Sequence, residues 1–126
     1  NLDKTSINKG IQIIKTMSKF DVGQSVVINN GYVLAIEGPE GTDEMIKRSA
    51  YLSKKLKLKN KSILIKFPKA GQDLRVDLPT LGLDTVKNCI KANIKGIAVK
   101  RSQNIILERD KIFNLTKKNN FFIISL

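Results

Sequence analysis

Apolar residues recur at Ile7, Ile11, Ile14 and Met17, three or four positions apart, which predicts an amphipathic helix over about residues 4–19. Asp21-Val22-Gly23-Gln24 reads as a turn. The period then shortens. Ser25–Ile28 and Tyr32–Ile36 are strand-like runs, and Asn29-Asn30-Gly31 between them is a strong hairpin signal. Glu37–Gly41 is a loop. Thr42 is expected to cap a helix whose first turn holds Asp43 and Glu44, where carboxylates complement the helix dipole. Met45, Ile46, Ser49, Leu52 and Leu56 form that helix's inner stripe. Ser62–Phe67 reads as a buried strand. A helix from about Asp84 carries Val86, Cys89, Ile90 and Ile94 on one face. Gly96–Val99 and Asn104–Leu107 suggest a second hairpin. Asp110 is expected to cap a short helix with Ile112, Phe113 and Leu115, and Phe121–Leu126 closes the chain as a strand.

The resulting order is α, ββ, α, β, α, ββ, α, β. Strands alternating with helices predict an α/β protein of mixed α+β character. A single domain is expected, with one mixed β-sheet, hairpins and packed helices. The length of 126 residues suits one core. No linker of biased composition divides the chain, and no apolar run approaches the ~20 residues of a spanning helix. The chain begins at Asn1 rather than Met, so a fragment or a processed product is expected.

Composition removes several chemistries. Histidine is absent, which excludes histidine bases, the usual nucleophile triads and ordinary zinc sites. Cys89 is the one cysteine, so no internal disulfide can form, and its place on an apolar stripe makes it a core residue rather than a nucleophile. Catalysis would have to use carboxylates, lysine, arginine, hydroxyls or a hard cation such as magnesium. The net charge is +12, but only Arg48, Arg75, Arg101 and Arg109 are arginines and aromatics are 6%. Nucleic-acid readers lean on arginine forks and aromatic platforms, so no nucleic acid is expected as a partner. Adhesion to an anionic membrane surface and a simply solvated surface remain as readings of the charge. Plentiful Lys, Ile and Asn also match an A/T-rich coding composition.

The densest chemistry lies in residues 71–82, Gly-Gln-Asp-Leu-Arg-Val-Asp-Leu-Pro-Thr-Leu-Gly. Extended, it would turn Leu74, Val76 and Leu78 one way and Asp73, Arg75 and Asp77 the other, as an ordinary edge strand does. Pro79 and Thr80 would stop such a strand. Lys66, Lys69 and Arg75 could neutralise phosphate, and Asp73 or Asp77 could hold magnesium or activate water. Ligands in such sheets gather beyond strand carboxyl ends and at helix N-termini. The second loop, Glu37–Asp43, reads as helix capping or as a source of a metal ligand or orienting group in Glu40 or Asp43. Alone, these loops support an anion or phosphate site on an α/β domain.

Several ordered motifs carry a resemblance. They are Asp21-Val22-Gly23-Gln24-Ser25-Val26-Val27, Leu34-Ala35-Ile36-Glu37, Glu40-Gly41-Thr42-Asp43-Glu44-Met45, and Lys66 with Lys69. Gln72, Arg75-Val76-Asp77-Leu78-Pro79-Thr80-Leu81-Gly82 and Gly96-Ile97-Ala98 complete the set. Together, over about residues 20–126, they resemble the C-terminal domain of the LpxI-type UDP-2,3-diacylglucosamine pyrophosphatases. Residues 1–19 would be the end of a linker or the start of that domain. The resemblance implies a divalent-metal-dependent hydrolase of lipid A biosynthesis in Gram-negative bacteria. Its substrate, a lipid-linked nucleotide sugar, would yield UMP and 2,3-diacylglucosamine 1-phosphate. It implies work in the cytoplasm, peripherally on the cytosolic face of the inner membrane. It makes Asp77 the catalytic residue, and Asp77 with Asp43 the ligands of Mg2+ or another divalent cation. Glu40, Thr42, Lys66, Lys69, Gln72, Arg75 and Thr80 become substrate-binding positions. The family's N-terminal domain is expected to be missing here, and association into a homo-oligomer is left open. The competing reading is a non-catalytic module that binds phosphorylated ligands or an acidic partner.

Overall fold

A computed structural model describes residues 2–68, 80–101, 105–106 and 108–126. Helix α1 (Leu2–Met17) runs into a short 3-10 turn, Ser18–Phe20. Strands β1 (Ser25–Asn29) and β2 (Tyr32–Ile36) follow, then α2 (Thr42–Lys55) and β3 (Ser62–Lys66). The chain continues through β4 (Thr80–Leu81), α3 (Leu83–Lys91), β5 (Ile94–Val99) and β6 (Ile105–Ile106). It closes with α4 (Arg109–Asn119) and β7 (Phe122–Ser125).

The main sheet is ordered β2-β1-β3-β5-β7. β1 is antiparallel to both neighbours, whereas β3, β5 and β7 are parallel. The β1–β2 turn is the expected Asn-Gly hairpin: Asn30 and Gly31 take φ of 46° and 86°, the left-handed conformations a two-residue turn of primed type requires. Every residue of β1 and β3 is buried, as expected for strands covered on both faces.

Strand alternation sorts those residues into two cores. Val26, Ile28, Ile63, Ile65 and Ala98 pack against Ile7 and Ile14 of α1. Val27, Leu64, Ile97 and Val99 face the other way, against Met45 and Ile46 of α2, Val86 and Cys89 of α3, and Ile112 of α4. Among the described residues the result is three layers, with α1 on one side of the sheet and α2, α3 and α4 on the other. An ion pair between Lys95 and Asp3, 2.6 Å apart, also ties α1 to the start of β5.

Several expectations need correction. The strands β5 and β6 do not pair as the expected hairpin: β5 pairs in parallel with β3 and β7, and β6 pairs in parallel with β4 in a separate two-stranded sheet. Apolar strand runs reveal that a strand exists but not its partner. Ile94 opens β5 rather than lining α3, and Leu56, at the end of α2, is 58% exposed rather than part of its inner stripe. Finally, the cap positions are Gly41 for α2 and Glu108 for α4, not Thr42 and Asp110.

Candidate functional site

β2 runs in the same direction as β3, β5 and β7, so the carboxyl ends of four strands share one edge of the sheet. α2 leaves from the end of β2, while α3 and α4 run back against the parallel strands. Their three N-termini therefore gather at that edge. A cleft of about 450 Å³ opens there, lined by Thr42 and Asp43 of α2, Gly82 to Thr85 at the start of α3, Glu108 before α4, and Lys66 at the end of β3. Helix N-termini present unpaired amide N–H groups and the positive end of the dipole, which suits an anionic ligand. The last turns of the same helices carry Lys54 and Lys55, Lys91, and Lys117 and Lys118. These five lysines sit at the helix ends away from the cleft.

Lys66 is 7% exposed. Burial lowers its pKa from the ordinary lysine value, and the carboxylates of Glu37 and Asp43 oppose that shift. Asp43 is fixed by a hydrogen bond from the Thr85 hydroxyl to Oδ1 at 3.0 Å, which joins α2 to α3 across the cleft. Glu37, just past β2, is 6% exposed. Its Oε2 accepts from the Gln24 N–H at 2.7 Å, and its Oε1 accepts from the Thr42 hydroxyl.

The Asp21–Gln24 turn makes this clamp. A Cβ on Gly23 would lie 2.2 Å from the Glu37 carbonyl oxygen, so only glycine lets the two chains approach this closely. Ser25 is wholly buried directly opposite Lys66 in the β1–β3 register. It shares a sheet face with Val27, the face that carries α2, α3 and α4. Its Oγ, like the Gln24 Oε1, has no hydrogen-bond partner among the described residues.

Of the residues singled out in the sequence, Thr42, Asp43 and Lys66 converge on the cleft. Glu40 does not line it. Glu40 Oε1 instead accepts from Arg48 at 2.8 Å and from the Gly38 N–H at 3.3 Å, and the guanidinium holds its pKa below the usual value. The Thr80 backbone belongs to β4, two residues before Gly82. Lys69, Gln72, Asp73, Arg75 and Asp77 lie outside the described residues. Glu37, Asp84, Thr85 and Glu108 were not singled out as site residues. Their signal was positional, since each sits where a strand ends or a helix begins. Cys89 is buried in the core, and burial pushes its thiol pKa far above the ordinary range, in keeping with a structural role.

No group of three or more His, Cys, Asp or Glu side chains among the described residues is placed to hold a metal ion. The cleft does offer hard carboxylate donors in Asp43, Asp84 and Glu108. Magnesium takes one or two such groups alongside phosphate oxygens and water, so the donor chemistry fits that ion.

Comparison with known proteins gives the family. The model of the LpxI C-terminal domain matches residues 1–124. The chain is also 30% identical over 123 residues to the UDP-2,3-diacylglucosamine pyrophosphatase LpxI of Caulobacter vibrioides, a match covering 95% of this chain and 44% of that relative. The chain therefore spans less than half the length of the relative it matches. On the extent of the family match, this chain belongs to the LpxI C-terminal domain family.

Proposed function

We propose that this chain is the cleft-bearing part of a hydrolase that splits the pyrophosphate of UDP-2,3-diacylglucosamine into UMP and 2,3-diacylglucosamine 1-phosphate, a step of lipid A biosynthesis. The observation that carries the reading is the cleft itself: three helix N-termini and a buried lysine gathered at the carboxyl edge of the sheet, in a chain of this family. Attack by water on one phosphorus forms a P–O bond while the bond to the bridging oxygen breaks. The oxygens of both phosphoryl groups carry the charge of that rearrangement. First-turn amides of α2 and α3 and the Lys66 side chain supply fixed positive potential for them.

Asp77 is the proposed catalytic carboxylate, with Lys69, Gln72, Arg75 and Thr80 contributing to substrate binding. Asp43 would hold Mg2+ together with Asp77, its Oδ1 already oriented by Thr85. Such an ion, when bound, neutralises phosphoryl charge and lowers the pKa of water. The acylated substrate places the reaction at the cytosolic face of the inner membrane. The remainder of the relative's length would supply further substrate contacts.

The test is hydrolysis of UDP-2,3-diacylglucosamine by the full-length protein with Mg2+ supplied, wild type against Asp77→Ala. UMP release that disappears in the variant supports the reading. A fully active variant removes Asp77 from the mechanism, and an inactive wild type counts against the substrate.

A further inference from the structure

Thr42 borders the cleft, and the direction of its hydroxyl proton decides what it can hold. A hydroxyl has one proton and two lone pairs. Both Glu37 oxygens act as acceptors, one from the Gln24 N–H and one from Thr42. The Thr42 proton is therefore committed to Glu37, and the hydroxyl has only lone pairs left to offer a group in the cleft. A phosphoryl oxygen has no proton to offer those lone pairs. First-turn amides and Lys66 already provide donors for phosphoryl oxygens, so Thr42 is left to meet a hydrogen-bond donor or a cation; with Asp43 and Asp77 assigned to the ion, the donor is a water.

Resting on the hydrolase reading, we propose that Glu37 is a positioning residue: it takes the Thr42 hydroxyl proton and so makes Thr42 Oγ1 the acceptor that orients the attacking water. This gives the Asp21–Gln24 turn a purpose beyond reversing the chain. Gly23 permits the close approach to Glu37, and the Gln24 N–H fixes the second carboxylate oxygen. The chain of contacts runs from the turn through Glu37 to Thr42 and ends in the cleft. A merely structural clamp would need the carboxylate but would be indifferent to which way the Thr42 proton points.

Glu37→Gln separates the two roles. Its amide oxygen can still accept from Gln24, while its NH2 group would donate to Thr42 and turn the hydroxyl proton outward. Thr42→Val removes the acceptor, and Thr42→Ser retains it. In the full-length protein acting on UDP-2,3-diacylglucosamine, Glu37→Gln and Thr42→Val should each lower kcat by ~10–100-fold, the scale of a misplaced reactant. KM should stay within about threefold of wild type, and Thr42→Ser should keep at least about a third of wild-type kcat. Unchanged kcat in Thr42→Val would overturn the proposal. So would a rise in KM alone, which would assign Thr42 to a substrate hydroxyl instead of water.

A second measurement does not depend on the reaction. In proton NMR of the 126-residue chain, the Thr42 hydroxyl should exchange slowly and show an Overhauser contact to the Glu37 side chain. Its absence in wild type would refute the proton assignment whatever the enzyme's substrate. Its presence with an inactive wild type would sink the hydrolase reading and the water assignment, leaving the proton assignment in place.

Discussion

Gly23→Ala tests the contact that fixes Glu37. The added Cβ would lie 2.2 Å from the Glu37 carbonyl oxygen and 2.8 Å from its carbonyl carbon and its Cβ. The closest approach falls short of ordinary van der Waals contact by about 1 Å. Two of the three atoms are backbone, so no side-chain rotation relieves the clash. The Glu37 N–H is bonded to the Ser25 carbonyl at 3.0 Å, which holds the segment against β1. Either that bond lengthens or the turn moves and the Gln24 N–H leaves the carboxylate. Forced overpacking of this kind costs about 1–3 kcal/mol. For a chain this size that lowers Tm by roughly 3–5 °C per kcal/mol. Gly82→Ala is the control, because a Cβ there meets nothing within 4 Å among the described residues and φ is −105°. Its cost should stay below about 1 kcal/mol, the range of cap substitutions. Urea and thermal unfolding of both variants, followed by circular dichroism, decide the matter. Equal stability of the two would refute the close-approach argument and with it the reason for glycine at position 23.

Three further outcomes follow from burial. Ser25→Ala removes a buried hydroxyl with no partner among the described residues, so it should leave stability unchanged or raise it by up to about 1–2 kcal/mol; a clear loss in urea unfolding would mean that the hydroxyl has a partner. Lys66 has a folded pKa below its unfolded value, so the unfolded chain binds more protons between the two, and the Lys66 contribution becomes more favourable as pH rises through that window. The stability of wild type relative to Lys66→Met should therefore improve as pH rises toward the unfolded lysine pKa, and a flat or opposite trend in unfolding free energy would contradict the burial account. Cys89 should resist iodoacetamide in the folded chain and react once urea unfolds it; rapid labelling under native conditions, detected by mass spectrometry, would show that α3 does not pack as described.

The helix and strand periods made most elements legible, and the Asn30-Gly31 turn was legible because few residue pairs accept two successive left-handed conformations. Strand partners were not. Ile105 and Ile106 lie close after β5 in sequence, which favours a hairpin on local grounds, yet β5 has parallel strands on both sides and β6 pairs with β4. Only tertiary packing decides that.

Helix starts were legible to within two residues, but the α2 cap was misassigned because the Thr42 hydroxyl is bonded to Glu37 rather than to its own helix. For the site, Thr42, Asp43 and Lys66 could be found from their places at loop and strand ends. Glu37 was harder, since a carboxylate closing a strand looks like a solvated loop residue until the Gly23–Gln24 turn is seen folded over it. Asp84 and Glu108 become site residues only when three helices are known to start at one edge. Glu40, attractive in sequence, is instead paired with Arg48.

The central claim is that ligand binds where α2, α3 and α4 begin. Hydrogen–deuterium exchange of the full-length protein, with Asp77→Ala introduced to prevent turnover, tests it most directly. Adding UDP-2,3-diacylglucosamine with Mg2+ should slow exchange at the first-turn amides of α2 and α3, around Thr42–Met45 and Leu83–Val86, and near Glu108. Protection confined to the lysine-rich far ends of those helices would contradict it.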